Sequence, residues 1–464
     1  MRAKPDIETS NIGERYRLIL MLALPALAEN LLSTFVSMVD TMMVSGYSSL
    51  AVAAVGLVTQ PRMVILSIFM SLGVSCTALI SRARGRGNQE QANRILMQTL
   101  LLTGAVALVL TGAMTWLDRP FLLLLSGQDL SAQVLDMASI YFRIQIYSIP
   151  LIGFTYVINA ALRGVGNTHI AFYTNAIANV VNIFFNYCLI SGNLGFPEMG
   201  VAGASLATVI GQSAALCGSL FVLIRGKDFI RLSKPSAPII DRPLIRSMSS
   251  VAIPALFEQL IMRVGMMLFT RIATSLGDLD YSVHIIAMNI QSLSVTTGIA
   301  FGIASSTLTG QSLGRRNTDC ARKLIRQTQV INLAVSVVIS CVLLLCGRFL
   351  ASLYSADAYV QENAAHVLGI VALSNPLSNA RFVYNYALRG AGDSRYTAVS
   401  TTLGILIARP LLAAIFVYGL HMNLVGLWLA LVSDAVICGI LGMVRWHSSH
   451  WEKIKLLSED RTPA

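Results

Sequence analysis

Asp40 is the one charge in the stretch Leu32 to Gly46, LSTFVSMVDTMMVSG, which is otherwise built from apolar and small residues. A lone carboxylate in such a setting can hold a cation, carry a proton or pair with a base. Four asparagines later in the chain, Asn175, Asn179, Asn182 and Asn186, follow the spacing i, i+4, i+7, i+11. On a helix that spacing draws one polar stripe. Hard cations take oxygen ligands, so Asp40 supplies the charge while Asn182 and Asn186 supply amide oxygens or orient waters, with Asn179 beside them. Na⁺ is the metal ion such a set would suit, and a buried carboxyl can carry H⁺ instead. The competing reading is a static hydrogen-bonded network between two helices.

The elements that position these residues belong to a membrane protein. Of 464 residues 55% are hydrophobic and 12% charged, and mean hydropathy is +0.66. Soluble domains carry about 25% charged residues. Twelve apolar stretches are long enough to cross roughly 30 Å of hydrocarbon: 16–44, 51–81, 93–117, 131–162, 168–190, 199–224, 246–275, 283–312, 320–347, 359–388, 395–419 and 424–446. Lipid requires internally satisfied backbone, so these spans are α-helices. Asp40 falls near the external end of the first span, at a depth similar to Asn182 and Asn186 in the fifth.

The net charge of +11 orients the chain and calls for no nucleic acid. With the N-terminus inside, most Lys and Arg fall in cytoplasmic segments, while the external loops hold Arg119 and Arg348. This is the positive-inside pattern, with both termini cytoplasmic. The first span has no small-residue cleavage signature and reads as uncleaved. The seven cysteines lack zinc or redox spacing, so no disulfide framework and no cofactor site follows; they read as small packing residues.

The chain repeats itself. PALAENL at 25–31 returns as PALFEQL at 254–260, and GVSCTALISRARGRGN at 73–88 as GIASSTLTGQSLGRRN at 302–317. ALRGVG at 161–166 returns as ALRGAG at 387–392, and MGVAGASLA at 199–207 is answered by MNLVGLWLA at 422–430. Four shared blocks in one order mean a duplication of six helices. Six is even, so the halves are parallel repeats about an axis along the membrane normal, with a substrate path between them. The expected division is an N-lobe at 1–225, a cytoplasmic linker at 226–245 bearing Pro235, Pro238 and Pro243, a C-lobe at 246–447 and a cytoplasmic tail at 448–464.

Positions where the halves disagree can do something only one of them does. Asp40 maps to Phe269, and the asparagine stripe maps to Thr401, Ile405, Ala408 and Leu412. The acid and the stripe are therefore confined to the first half. Glu29 and Glu258, by contrast, are repeat mates, which favours a structural role. Glu29 lies three turns from Asp40 on one helix face and could line the same interior. Arg409, at a depth similar to Glu258, is expected to pair with it and neutralise both charges, the alternative being that it binds an anionic substrate. Met38 and Met42, with Met43, bracket Asp40, and Met262, Met266 and Met267 recur in the seventh span. Such side chains suit a polyspecific cavity or plain packing. Arg62, Arg143, Arg263, Arg271 and Arg381 also fall in spans, several near ends where they can snorkel. Pro25, Pro61, Pro150, Pro254, Pro376 and Pro410 are candidate kinks.

With these motifs in order and duplicated, the sequence resembles the MATE (multidrug and toxic compound extrusion) family over about 12–447, nearest its DinF-like branch. The resemblance rests on LPALAENL…MVDTMMVSG, the turns LRGVGNT and LRGAGDS, and the N…NIFFN…GVAGASLAT run. It implies an all-α polytopic fold of twelve helices in two six-helix lobes forming a V, alternating between inward- and outward-open states. It also implies antiport driven by H⁺ or Na⁺. Asp40 matches the coupling or drug-binding acid of DinF-like members, Asn186 stands where they carry a second aspartate, and Thr208 matches a further cation ligand. Glu258 matches a glutamate of the Na⁺ site of NorM-like members, whose accompanying aspartate falls at Ser378.

The expected protein is a plasma-membrane antiporter that exports amphipathic, cationic small molecules, acts as a monomer in the bilayer and is not an enzyme. Neither H-E-x-x-H nor G-x-S-x-G occurs. A flippase or exporter of a lipid-linked or anionic metabolite on the same scaffold is the alternative.

Overall fold

A computed structural model describes residues 11–126, 132–226, 229–232 and 240–456. Pro235 and Pro238 of the expected linker, and the last eight residues of the expected tail, lie outside the described residues. The regular structure described is helical. In the first half it comprises α1 (Ile12–Tyr47), α2 (Ser49–Gly85), α3 (Gln89–Ser126), α4 (Ala132–Ile146), α5 (Ser148–Gly164), α6 (Thr168–Ile190) and α7 (Gly200–Arg225). The second half comprises α8 (Arg242–Thr274), α9 (Asp278–Gly314), α10 (Thr318–Ser352), α11 (Ala358–Gly390), α12 (Ser394–Thr401), α13 (Arg409–Ala414) and α14 (Asn423–His447). Two π-helical stretches, Thr402–Ala408 and Ile415–Gly419, flank α13.

Among the described residues nine helices are long and apolar enough to cross a membrane, or ten if α4 and α5, bent by 51°, form one span. The long helices α6 and α11, expected as the fifth and tenth spans, do not pass that test among the described residues. Both carry internal asparagines, which lower the hydropathy of any window across them. Pro150 sits in the first turn of α5, where its missing N–H costs nothing, just after the bend. Its repeat mate Pro376 lies inside the continuous α11, so the candidate kink does not repeat. Pro25, Pro61 and Pro254 are likewise inside continuous helices.

The chain divides into two compact units, residues 28–248 and residues 1–27 with 249–464. The division falls inside α1 and α8 rather than in the expected linker. The reason for the first break is burial: Leu18, Ile19, Leu22 and Ala23 belong to one apolar core with Phe301, Ala304, Leu308 and Leu388.

The duplication is written into the helix ends. Both ends of α2 and α9 correspond at the shift of 73–88 onto 302–317, and α5 and α11 end on matching glycines. After those ends the chain makes the same turn twice. Gly166 N–H donates to Arg163 O at 2.9 Å and Asn167 N–H to Leu162 O at 2.8 Å; Gly392 and Asp393 repeat both bonds onto Arg389 and Leu388 at the same lengths. These bonds satisfy the last carbonyls of each helix, and they require a left-handed residue. Gly166 and Gly392 supply it at φ 85° and 86°, without the Cβ clash other residues incur.

Candidate functional site

Asp40 on α1 accepts a hydrogen bond from Asn186 Nδ2 on α6 at 2.7 Å. Asn182, one turn earlier, is buried beside them. With its amide nitrogen turned to the carboxylate it donates to Asp40 Oδ1 at 2.9 Å, and its oxygen accepts from Thr208 N–H at 3.2 Å. The i, i+4 spacing stacks both amides on one face, opposite α1. Asn186 Oδ1 is buried with no donor, an acceptor left over beside a carboxylate.

These residues line a cavity of about 500 Å³ within the unit 28–248. Asp40, Asn179, Asn182, Asn186 and Thr208 all face it, joined by Arg62, Tyr141 and Gln212. Its far wall depends on Gly211: a Cβ there would come within 2.8 Å of Ala178 O and 3.0 Å of the Asn182 Cβ, so α7 approaches α6 this closely only through glycine. Ser205 Oγ donates to Tyr141 O at 2.8 Å, fixing α7 to α4 behind the cavity.

The asparagine stripe splits. Asn175 leaves it to donate to Glu29 Oε1 at 2.5 Å, and Arg163 approaches the same oxygen at 3.4 Å. Glu29 does not line the Asp40 cavity. Met38 and Met42, expected as cavity lining, do not face it either; they are 43% and 65% exposed, because positions two residues on either side of Asp40 point about 200° away around a helix.

Three further expectations change. Glu258 pairs not with Arg409 but with Arg389 Nη2 at 2.6 Å, and accepts from Thr397 and Thr401 hydroxyls at 2.9 Å each. Arg389, Thr401 and Glu258 are the repeat mates of Arg163, Asn175 and Glu29, so each unit ties its first span to the same turn with an acid and an arginine. Arg409 donates instead to Asp434 Oδ2 at 2.9 Å, with Arg381 Nη1 at 3.9 Å from that oxygen. Ser378 lines a small polar crevice with Asn375, Asn379 and Arg381, away from Glu258. Glu258, Arg409 and Ser378 therefore do not form one site.

Two charged residues stand out only in three dimensions. Asp434 escapes the repeat comparison because its mate is Gly211, although a lone acid in LALVSDAVICG carries the same signal as Asp40. Arg62, expected to snorkel if near a span end, lines the cavity. All seven cysteines are free, and the described residues hold no group of three His, Cys, Asp or Glu placed to bind a metal ion.

The MatE family model matches residues 25–188 and 254–415, once for each half of the duplication. The chain is 26% identical over 461 residues to a probable multidrug resistance protein NorM of Thermotoga maritima, covering 99% of this chain and 98% of the relative. It is 23% identical to an uncharacterized transporter, YisQ, of Bacillus subtilis over 92% of this chain and 93% of that one. A solved structure of a multidrug resistance MATE family transporter in an outward-facing conformation shares the fold, with a TM-score of 0.88, 22% identity, and coverage of 95% of this chain and 97% of that one.

Proposed function

The chain belongs to the MATE family of multipass membrane transporters, and from that premise we propose that it is a cation-coupled antiporter. Its cargo is an amphipathic small organic cation, exported across the plasma membrane by alternating access between two lobes of six spans each, α6 and α11 included. Both termini face the cytoplasm and the monomer suffices. The observation that carries the reading is one acid, Asp40, held by the amides of Asn182 and Asn186 at a cavity inside a membrane-spanning unit.

The donor set fits a monovalent cation. Asp40 supplies charge, Asn186 Oδ1 is an unused buried acceptor, and either amide can turn its oxygen to a cation. Substrate cation and driving cation both need the ionised carboxylate, so each displaces the other. One monovalent cation crossing about 150 mV releases roughly 3.5 kcal/mol, enough for a few-hundred-fold gradient of a neutral cargo. A single acid that carries one proton makes H⁺ the first choice of driving ion, with Na⁺ the other. The alternative anionic cargo draws on few groups here: Arg409 is committed to Asp434, which leaves Arg62 in the cavity.

Efflux of a fluorescent cation from proteoliposomes tests the reading under a pH gradient alone and then a Na⁺ gradient alone. Transport under either that is lost in Asp40→Asn supports it. Transport that proceeds normally in that variant under both gradients overturns it, and a Na⁺ requirement indifferent to pH overturns the choice of H⁺.

A further inference from the structure

The cavity that holds Asp40 also holds a cation of its own. Arg62 on α2 faces the same space, and its Nε is buried without an acceptor. No ion pair joins it to Asp40 or to any other acid among the described residues. This differs from the other half, where the buried Arg409 is matched by Asp434 at 2.9 Å. A guanidinium without an ion pair in a membrane-spanning segment is costly, and the acid of this cavity, Asp40, is not within ion-pair distance of it. Asn179 Nδ2, another donor at the cavity wall, is also unpartnered.

The offset of the two positions along their helices follows from the turn that joins them. α1 and α2 meet at Ser48, whose side chain caps α2 by accepting from Leu50 N–H at 3.2 Å. Asp40 lies eight residues back from that turn and Arg62 fourteen residues beyond it. At about 1.5 Å per residue, Arg62 sits roughly 9 Å deeper than Asp40 along the helices. A guanidinium recognises oxyanions through its planar fork of donors, and a carboxylate recognises ammonium or delocalised organic cations.

We propose that this cavity selects zwitterions, with the cargo's cationic group at Asp40 and an oxyanion, such as a carboxylate, at Arg62. This deepens the antiport reading and rests on it, since Asp40 remains the shared cation site. It also accounts for one pocket carrying both signs of charge: a cation alone would leave Arg62 unmatched, and an anion alone would face Asp40.

Binding to the purified full-length protein, followed by fluorescence polarisation, tests this with a rhodamine bearing a free carboxylate and the same dye as its methyl ester. The expected result is a preference of about tenfold for the free carboxylate. Arg62→Gln brings that ratio to about one, Arg62→Lys retains part of it, and Asp40→Asn weakens binding of both dyes. Monodisperse elution of each variant confirms that it is folded. A wild-type ratio near one, failure of the carboxylate dye to bind, or a ratio indifferent to Arg62→Gln overturns the proposal. If that happens while ester efflux still requires Asp40, only the zwitterion selectivity falls. If Asp40→Asn leaves binding and efflux of both dyes intact, the antiport reading falls with it.

Discussion

The two halves share one repeated sequence pattern, yet one keeps a cavity where the other keeps a core. Around the Asp40 cavity the first half places Val55, Thr208 and Gly211, with Ser205 behind it. At the matching positions the second half has Phe269, then His284, Leu431, Asp434 and Trp428. Every replacement is larger. Phe269, Trp428 and Leu431 pack into one apolar cluster, with the His284 ring 5.7 Å from Phe269 and 5.6 Å from Trp428. Arg409 lies over the Phe269 ring at 5.4 Å. The same scaffold therefore yields a ligand-sized space or a solid interior according to side-chain volume at five positions, with no change of helix order.

Acids play opposite parts in the two settings. Asp434 is fully buried and matched by Arg409; Asp40 faces open space and is held by neutral amides. The comparison predicts its largest effects there. Asp434→Asn leaves Arg409 buried without its counter-charge and should cost about 3–5 kcal/mol, read as a large fall in thermal midpoint in detergent. Asp40→Asn should hold that midpoint within a few degrees while gradient-driven efflux falls to background. A stable Asp434→Asn protein that no longer transports would reverse the two assignments.

The acid pair shared by both halves gives the next effect. Glu258 is held by one arginine and two threonine hydroxyls, and Glu29 by Asn175 and a longer contact to Arg163. Glu258→Gln should therefore cost about 2–3 kcal/mol and Glu29→Gln about 1 kcal/mol, measured by urea or thermal unfolding of each single variant. Equal losses would mean that the two ties carry the same load despite their different partners.

The smallest effect is the most direct exchange between halves. Thr208→Leu installs the second half's Leu431 in the first half's cavity. It should weaken dye binding about tenfold while raising stability by about 1 kcal/mol through added apolar burial. Unchanged affinity would place the bound cargo elsewhere. Gly211→Ala sharpens the point, because its Cβ would press on Ala178 O; a cost of about 1–3 kcal/mol is expected, read as a lowered thermal midpoint.

Much of this was legible before any coordinates. Hydropathy marks most of the long helices, though not α6 and α11 with their internal asparagines, and the repeated LRG-x-G turn predicts two matching helix ends, which the paired bonds at Asn167 and Asp393 bear out. Asp40, Asn182 and Asn186 come together as their spacing and depth suggest. What pairwise sequence reasoning misses is who partners whom. Matching Glu258 with Arg409 by depth ignores which face each side chain occupies, and Arg389, in the last turn of α11, reaches the acid instead. Asp434 is hidden by its mate being a glycine, since a repeat comparison that starts from charged residues of the first half never arrives at it. Met38 and Met42 fail through rotation: closeness in sequence to Asp40 puts them on other faces of α1.

The wide turns beside α13 carry a consequence of their own. A π turn accommodates one more residue than an α turn, so counting along the chain loses step with position in space after Thr402. The sequence shift aligns Asn182 with Ala408, but contacts align it with Arg409: Asn182 packs on Gly211 and adjoins Asp40, while Arg409 binds the mate of Gly211 and covers the mate of Asp40. A one-residue gain of length thus put a guanidinium where the sister half has an amide. The two halves diverged by insertion as well as by substitution, and position-by-position alignment across the repeat must shift by one there before its residues are compared.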